Sequence, residues 1–287
     1  MYKLFKRFRL TRQGKEQRVV VIHNHLFKNA GSTIDWALKK NFGSSFVDHR
    51  QDDLMRQGAS YLGPYLEVKT KVAALSTHHL VLPLPVLKNI RLLVMTMFRH
   101  PIERVTSVYN FERKQKCNST PGVIHARKLT IGDYIRWRLK PEVGATIRNF
   151  HSRRMLPFRK PQREDLSFSD SEFIKVSVKN MDMLGIVDRF DESMVLFEET
   201  LRKHFPDIDL SYTAQNIGQK ADESRETRLA WLEAEIGRGT YDLLVQKNKH
   251  DIELYDFMSE EFQRRVDGVE DFAKKLESFK TRCLKHR

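Results

Sequence analysis

Apolar residues follow two rhythms along this chain. In the first half, short unbroken apolar runs alternate with segments of three-and-four spacing. "RVVVIHN", from Arg18 to Asn24, is continuous and β-branched and predicts a buried strand. The next segment, Ser32 to Asn41, turns Ile34, Trp36, Ala37 and Leu38 inward and predicts a helix stopped by Gly43. "SSFVDHR" predicts a short second strand, "DDLMRQGASYL" a helix with a loose end, and "KVAALSTHH" a third strand. "IRLLVMTMF", Ile90 to Phe98, is the strongest strand pattern and reads as central. Pro101 then opens a helix reaching about Lys114, since proline suits a first helical turn.

Beyond Cys117 the chain is irregular and rich in Arg, Pro and Gly up to Asp170, with one helix expected in "TIGDYIRWRLK". "SEFIKVSVKNMDML" predicts a helix, "GIVDRF" a short strand, and "DESMVLFEETLRKHF" an amphipathic helix with Asp191 near its start. From Asp251 onward, Tyr255, Met258, Phe262, Val266 and Val269 keep a helical spacing that Phe272, Leu276 and Phe279 continue. That predicts one long helix over residues 250–287, packed on the body or forming the seam of a homodimer. Strands alternating with helices predict an α/β fold. It has a central parallel sheet flanked by helices on both faces and a helical C-terminal half, in one domain over 1–287.

Composition narrows the partners. The chain carries 51 Lys and Arg against 37 Asp and Glu, a net charge of +14. That favours anionic ligands without choosing among phosphates, sulfates, acidic glycans, nucleic acid or lipid. The basic tail, residues 1–17, reads as solvated; contact with a membrane surface through Leu4, Phe5, Phe8 and Leu10 is the alternative. No apolar run approaches membrane-spanning length. Cys117 and Cys283 are too few and too far apart for a disulfide framework and read as free thiols in a reducing compartment. The eleven histidines lack familiar zinc spacings, and His78 and His79 point opposite ways on a strand, so no metal is expected.

The chemistry begins after the first strand. In a parallel sheet, ligands sit beyond the carboxyl ends of the strands. The loop from His25 to Gly31 lies there, followed by a helix whose first N–H groups have no partner inside it. Gly31 lets an anion approach the backbone, Ser32 and Thr33 offer hydroxyls, and Lys28 adds a mobile charge. Capping and surface charge explain the same residues equally well on this stretch alone. The Walker pattern is absent, because Lys28 precedes Gly31; the arrangement is P-loop-like rather than a P-loop. A second stretch, "MTMFRHPIERVTSVYNFER", puts Arg99 at the end of the strongest strand, with Ser107 two turns into the following helix. An arginine ending a buried strand needs an anion. An Arg99–Glu103 ion pair is the plain alternative.

Together these stretches resemble the sulfotransferases that use 3′-phosphoadenosine 5′-phosphosulfate (PAPS). They are most similar to the carbohydrate sulfotransferases of the Golgi type and their bacterial relatives, including the uronyl 2-O-sulfotransferases. "FKNAGST", Phe27 to Thr33, matches that family's lysine loop, and "RHPIERVTSVYNF", Arg99 to Phe111, matches its second motif, with His100 where aspartate is usual. "NFHSRRML", "GIVDRFDESMVLFEE" and "NKHDIELYDF" are weaker echoes. The resemblance implies that Lys28, Asn29, Ala30, Gly31, Ser32 and Thr33 hold the 5′-phosphosulfate, with Lys28 reaching the bridging oxygen. Arg99 and Ser107 would bind the 3′-phosphate, and no metal would take part.

The acceptor hydroxyl then benefits from a general base, for which histidine suits neutral pH. The resemblance places that base about twenty residues before the motif arginine, which favours His78 over His79. His23 and His25 flank the loop as further candidates, and His151 and Glu103 stand further off. Arg127, Lys128, Arg136, Arg138, Arg148, Arg153 and Arg154 offer a surface for an anionic saccharide, and Trp137 a face for a sugar ring, unless these serve packing and solvation. The expected activity is transfer of a sulfuryl group from PAPS to a hydroxyl, in a cytoplasmic enzyme of bacterial type, an expectation favoured by the start at Met1. A nucleotide-dependent kinase and a non-catalytic polyanion-binding protein are the alternatives.

Overall fold

The computed structural model describes residues 17–117, 120–156, 166–213 and 223–286. Strand β1 (Arg18–Asn24) leads to helix α1 (Gly31–Phe42) and strand β2 (Phe46–His49). Helices α2 (Asp52–Met55) and α3 (Ala59–Val68) precede β3 (Ala74–Thr77). Strand β4 (Ile90–Phe98) runs into α4 (Pro101–Arg113), then α5 (Pro121–Lys128), α6 (Ile131–Arg138) and α7 (Phe150–Met155). After α8 (Phe168–Lys179) come β5 (Met183–Ile186) and α9 (Phe190–Leu201). The described chain ends with α10 (Arg225–Ile236), α11 (Arg238–Gln246), α12 (Lys249–Asp267) and α13 (Phe272–Leu284).

The strands form one parallel sheet in the order β2-β3-β1-β4-β5. Alternation along each strand sends successive side chains to opposite faces. Val21, Leu93, Met95, Met97 and Met183 pack under α1, α9 and α13, against Ile34, Leu38, Met194, Phe197 and Phe279. On the other face Val20, Ile22, Leu75 and Val94 meet Leu62 and Leu66 of α3. Farther along it Phe98, Leu184 and Ile186 meet Val178 of α8 and Met258 and Phe262 of α12. Each large side chain so buried contributes roughly 1.5–3 kcal/mol. A further cluster joins α4, α6, α10 and α11 through Val105, Tyr134, Ile135, Leu232 and Leu244.

Several expectations shift. β4 is interior, but β1 holds the middle place. "DDLMRQGASYL" forms two helices, because the chain turns at Gly58 with φ +66, a value glycine adopts without strain. The helix expected through Leu184 ends at Lys179, and Met183–Ile186 is strand, so β5 begins before "GIVDRF". The long C-terminal helix is two helices: Gly268 caps α12, and Asp271, at φ +52, starts α13 in a new direction. Their apolar stripe is spent on the chain's own sheet, through Met258, Phe262 and Phe279. Cys117 and Cys283 are free. Among the described residues no helix is long and apolar enough to cross a membrane. Leu4, Phe5, Phe8 and Leu10 lie outside the described residues.

Candidate functional site

β1 and β4 are adjacent, yet the chain leaves them in opposite directions, from β1 toward β2 and from β4 toward β5. The loops after both strands therefore open at one place on the carboxyl edge of the sheet. The first loop is wound tightly. Lys28 has φ +64 and Ala30 φ +59, with Asn29 between them on the ordinary side. Alternation of this kind turns successive backbone N–H groups toward one concavity, the shape that holds anions. Left-handed backbone at a lysine and an alanine costs of order 1–3 kcal/mol each, so other contacts must hold the loop in place.

Asn29 supplies those contacts. Its side chain is 1% exposed. Its Nδ2 donates to the Phe27 carbonyl at 3.0 Å, while its Oδ1 accepts the Arg99 backbone N–H at 2.8 Å and His151 Nε2–H at 3.0 Å. So Asn29 turns its side chain into the protein, and its own N–H donates to the Leu26 carbonyl at 3.2 Å. Arg104, fully buried, also donates to the Phe27 carbonyl, at 3.4 Å, and stacks its guanidinium on Phe150.

Lys28 lies with its Nζ 4.5 Å from the centre of the Phe111 ring. Burial, then the charges of Arg99 and Lys114, push its amine down to about 8. Arg99 and Lys28 thus feel one another's charge. Burial also lowers the Arg99 pKa, against the pull of Glu103 and Asp188. Glu103 does not pair with Arg99: it is bonded to Arg228, which also reaches Asp188 at 3.3 Å. No carboxylate is ion-paired to Arg99 among the described residues. Ser107 is half-buried on α4, Ser32 is exposed and Thr33 buried. His100 makes no side-chain cap to α4; its ring packs on Tyr255, and burial takes it down to about 4.

The two neighbouring histidines differ. His78 Nδ1–H donates to the His25 carbonyl at 2.7 Å, which leaves the Nε2 lone pair unprotonated. Burial, then the nearby His25, lowers its pKa to about 4. His79 instead bridges helices: its Nδ1 accepts from Arg154 at 2.9 Å and its Nε2 lies 3.1 Å from Asp52.

Spacing arguments missed Asp35. It accepts His23 Nδ1–H at 2.7 Å and His25 Nδ1–H at 2.8 Å, one on each oxygen, with Arg50 at 3.4 Å. Burial opposes its ionisation, but His23 and His25 hold the carboxyl far below the usual range. The signal was there to read: two histidines two apart face the same way from a strand end, and the helix behind them returns a carboxylate. The ligand atoms of His23, His25 and Asp35 all lie within 4.8 Å of one another, as a metal ion would require. The His25 ring is tilted against His78, with centroids 4.2 Å apart, and lies against Gly31, where an added Cβ would meet Cδ2 at 2.2 Å. Gly31 is glycine because this ring fills the space a side chain needs.

Several of the arginines expected to face an anionic saccharide have partners within the chain. Arg138 is buried in an ion pair with Glu112 at 2.5 Å, and Arg148 donates to the Val143 carbonyl at 2.5 Å. Trp137 is sandwiched by its own neighbours, with His125 stacked at 3.9 Å and Arg138 at 4.8 Å from the ring centre. Arg127 and Lys128 are exposed, Arg136 pairs with Asp133, and Arg153 and Arg154 are half-buried, Arg154 against His79. Residues 157–160, the end of the stretch expected to face the acceptor, lie outside the described residues.

An uncharacterized protein of Archaeoglobus fulgidus is 31% identical over 245 residues, spanning 83% of this chain and 95% of the archaeal one. The chain belongs to the same family as that protein. No family model matches the chain.

Proposed function

We propose that this protein is a PAPS-dependent sulfotransferase acting on a hydroxyl, with an anionic saccharide as the acceptor class. The observation that carries the reading is the direct link between the two loops. Lys28 follows β1 and Arg99 follows β4, the two segments are joined by the Asn29–Arg99 hydrogen bond, and Arg99 is half-buried with no carboxylate ion-paired to it among the described residues. A ligand with phosphates at both ends of an adenosine satisfies both cations. The P-loop-like concavity at Lys28 to Thr33 suits the phosphosulfate, and Arg99 with Ser107 suits the 3′-phosphate.

In this reading the residues divide the work. The loop N–H groups and Lys28 stabilise charge as it builds on the leaving oxygen. His78 Nε2 takes the acceptor proton while the acceptor oxygen bonds sulfur and the sulfur–oxygen bond to the phosphate breaks, its electron pair leaving with the nucleotide. A histidine near 4 is unprotonated at neutral pH. Negative charge brought by donor and acceptor raises it toward a useful basicity. His79, held by Arg154 and Asp52, keeps a structural place.

Calorimetric titration with 3′-phosphoadenosine 5′-phosphate (PAP) against ADP tests the reading. Preference for PAP is expected, lost in Arg99→Ala, while His78→Ala binds PAP normally and transfers nothing. Equal binding of ADP overturns it in favour of a kinase.

A further inference from the structure

The motifs "NFHSRRML" and "NKHDIELYDF" have no part in the chemistry above, yet they grip each other under the anion loop. Asn149 donates its N–H to Asn248 Oδ1 at 3.1 Å, and Asp251 donates its N–H to Asn149 Oδ1 at 3.2 Å. Asn248 Nδ2 reaches the carbonyls of Ile147 and Leu244, each at 2.9 Å. The Asp251 carboxylate accepts the N–H groups of His151 and Ser152 at 2.8 Å each, and the Ser152 hydroxyl at 2.6 Å. All of these residues are buried, His151 and Asp251 at 0% exposure. Buried polar groups are normally bonded, and the ring of His151 departs from that rule at one nitrogen. His151 Nδ1 has no partner and stands 3.6 Å from Asp251. The ring instead gives its one proton, on Nε2, to Asn29 Oδ1 at 3.0 Å, and is braced edge-on by Phe98 and Phe150.

We propose that the clasp of residues 147–152 with 244–251 positions the anion loop, acting through the His151–Asn29 hydrogen bond. His151 is a positioning residue that touches no ligand. The ring sits where Asn29 needs a donor rather than where both its nitrogens are satisfied. The role in donor binding rests on the reading of the loop as the PAPS site; the role in loop order does not.

The test uses the full chain and three readouts: hydrogen exchange of the segment 25–33, PAP titration, and thermal unfolding. His151→Phe keeps a ring but removes the donor. It is expected to speed exchange of the loop about tenfold and to weaken PAP binding about tenfold, the worth of one buried hydrogen bond. His151→Gln restores an amide donor and should return both toward wild type. Glu112→Gln, in a buried network that makes no bond to the loop, is the control matched for loss of stability. Should His151→Phe fail to fold, Asp251→Asn, which weakens the clasp at its centre, takes its place with the same expectation. Loop exchange no faster than in the control overturns the proposal. If wild type ignores PAP while loop exchange still answers to His151, the clasp stands and the donor-site reading falls.

Discussion

Asn29 Oδ1 accepts the backbone N–H of Arg99 at 2.8 Å, across a sequence separation of 70 residues. One buried amide therefore ties the loop after β1 to the end of β4, and with it the spacing of the two cations at the edge of the sheet.

Removing that amide should cost more than a surface change. Asn29→Leu strands the Arg99 N–H and His151 Nε2–H in a dry interior, for about 1–3 kcal/mol per group. Asn29→Asp keeps an oxygen acceptor for both and should lose less. Chemical denaturation of the two variants checks the order; equal losses would contradict the shared-acceptor geometry.

Gly31→Ala places a methyl on the His25 ring, 2.2 Å from Cδ2. The ring must move, which breaks its bond to Asp35 and disturbs the carbonyl that orients His78. Overpacking of this kind costs about 1–3 kcal/mol. Nuclear magnetic resonance of the histidine rings should show His78 losing its single tautomer.

Lys28 sets a pH limit on anion binding. Its free amine lies at about 8, below the ordinary lysine value, and a bound anion favours the charged form. PAP affinity should be highest below pH 8 and fall up to about tenfold per unit above it. Lys28→Arg, charged throughout, should flatten that profile even where it binds less well; a wild-type profile unchanged from pH 7 to 9.5 would exclude the role.

Acid should loosen the fold. His78, His100 and His151 are each held near 4, against an ordinary value of 6.5. The unfolded chain takes up their protons first as pH falls, so stability is full above 6.5, declines toward 4, and declines no further below it on their account. Each adds up to about 1.4 kcal/mol per pH unit to that slope. Melting temperatures from pH 7 to 4 measure it, and His151→Phe should show a shallower slope than wild type.

Much of this was legible in the residues. Continuous apolar runs at Val19 to Ile22 and Leu92 to Met97 named the interior strands, because a strand covered on both faces tolerates little else. Boundaries slipped where turns intervened: Gly58 opens a second helix after α2 has ended, and Asn180 and Gly268 end helices whose apolar spacing ran on past them. The sequence left open whether Arg138 and Arg148 face a ligand or serve packing, because their partners, Glu112 and the Val143 carbonyl, are supplied by other turns of the chain.

The sequence by itself determined the α/β alternation, the loop at Lys28 and the arginine closing β4, since these follow from periodicity and local chemistry. Only the tertiary structure decided that Asn29 faces inward, that Asp35 joins two histidines, and that His78 rather than His79 keeps a bare nitrogen. Each of those outcomes depends on a hydrogen-bond partner ten to more than a hundred residues away, and no local pattern specifies which distant atom will complete a buried polar group.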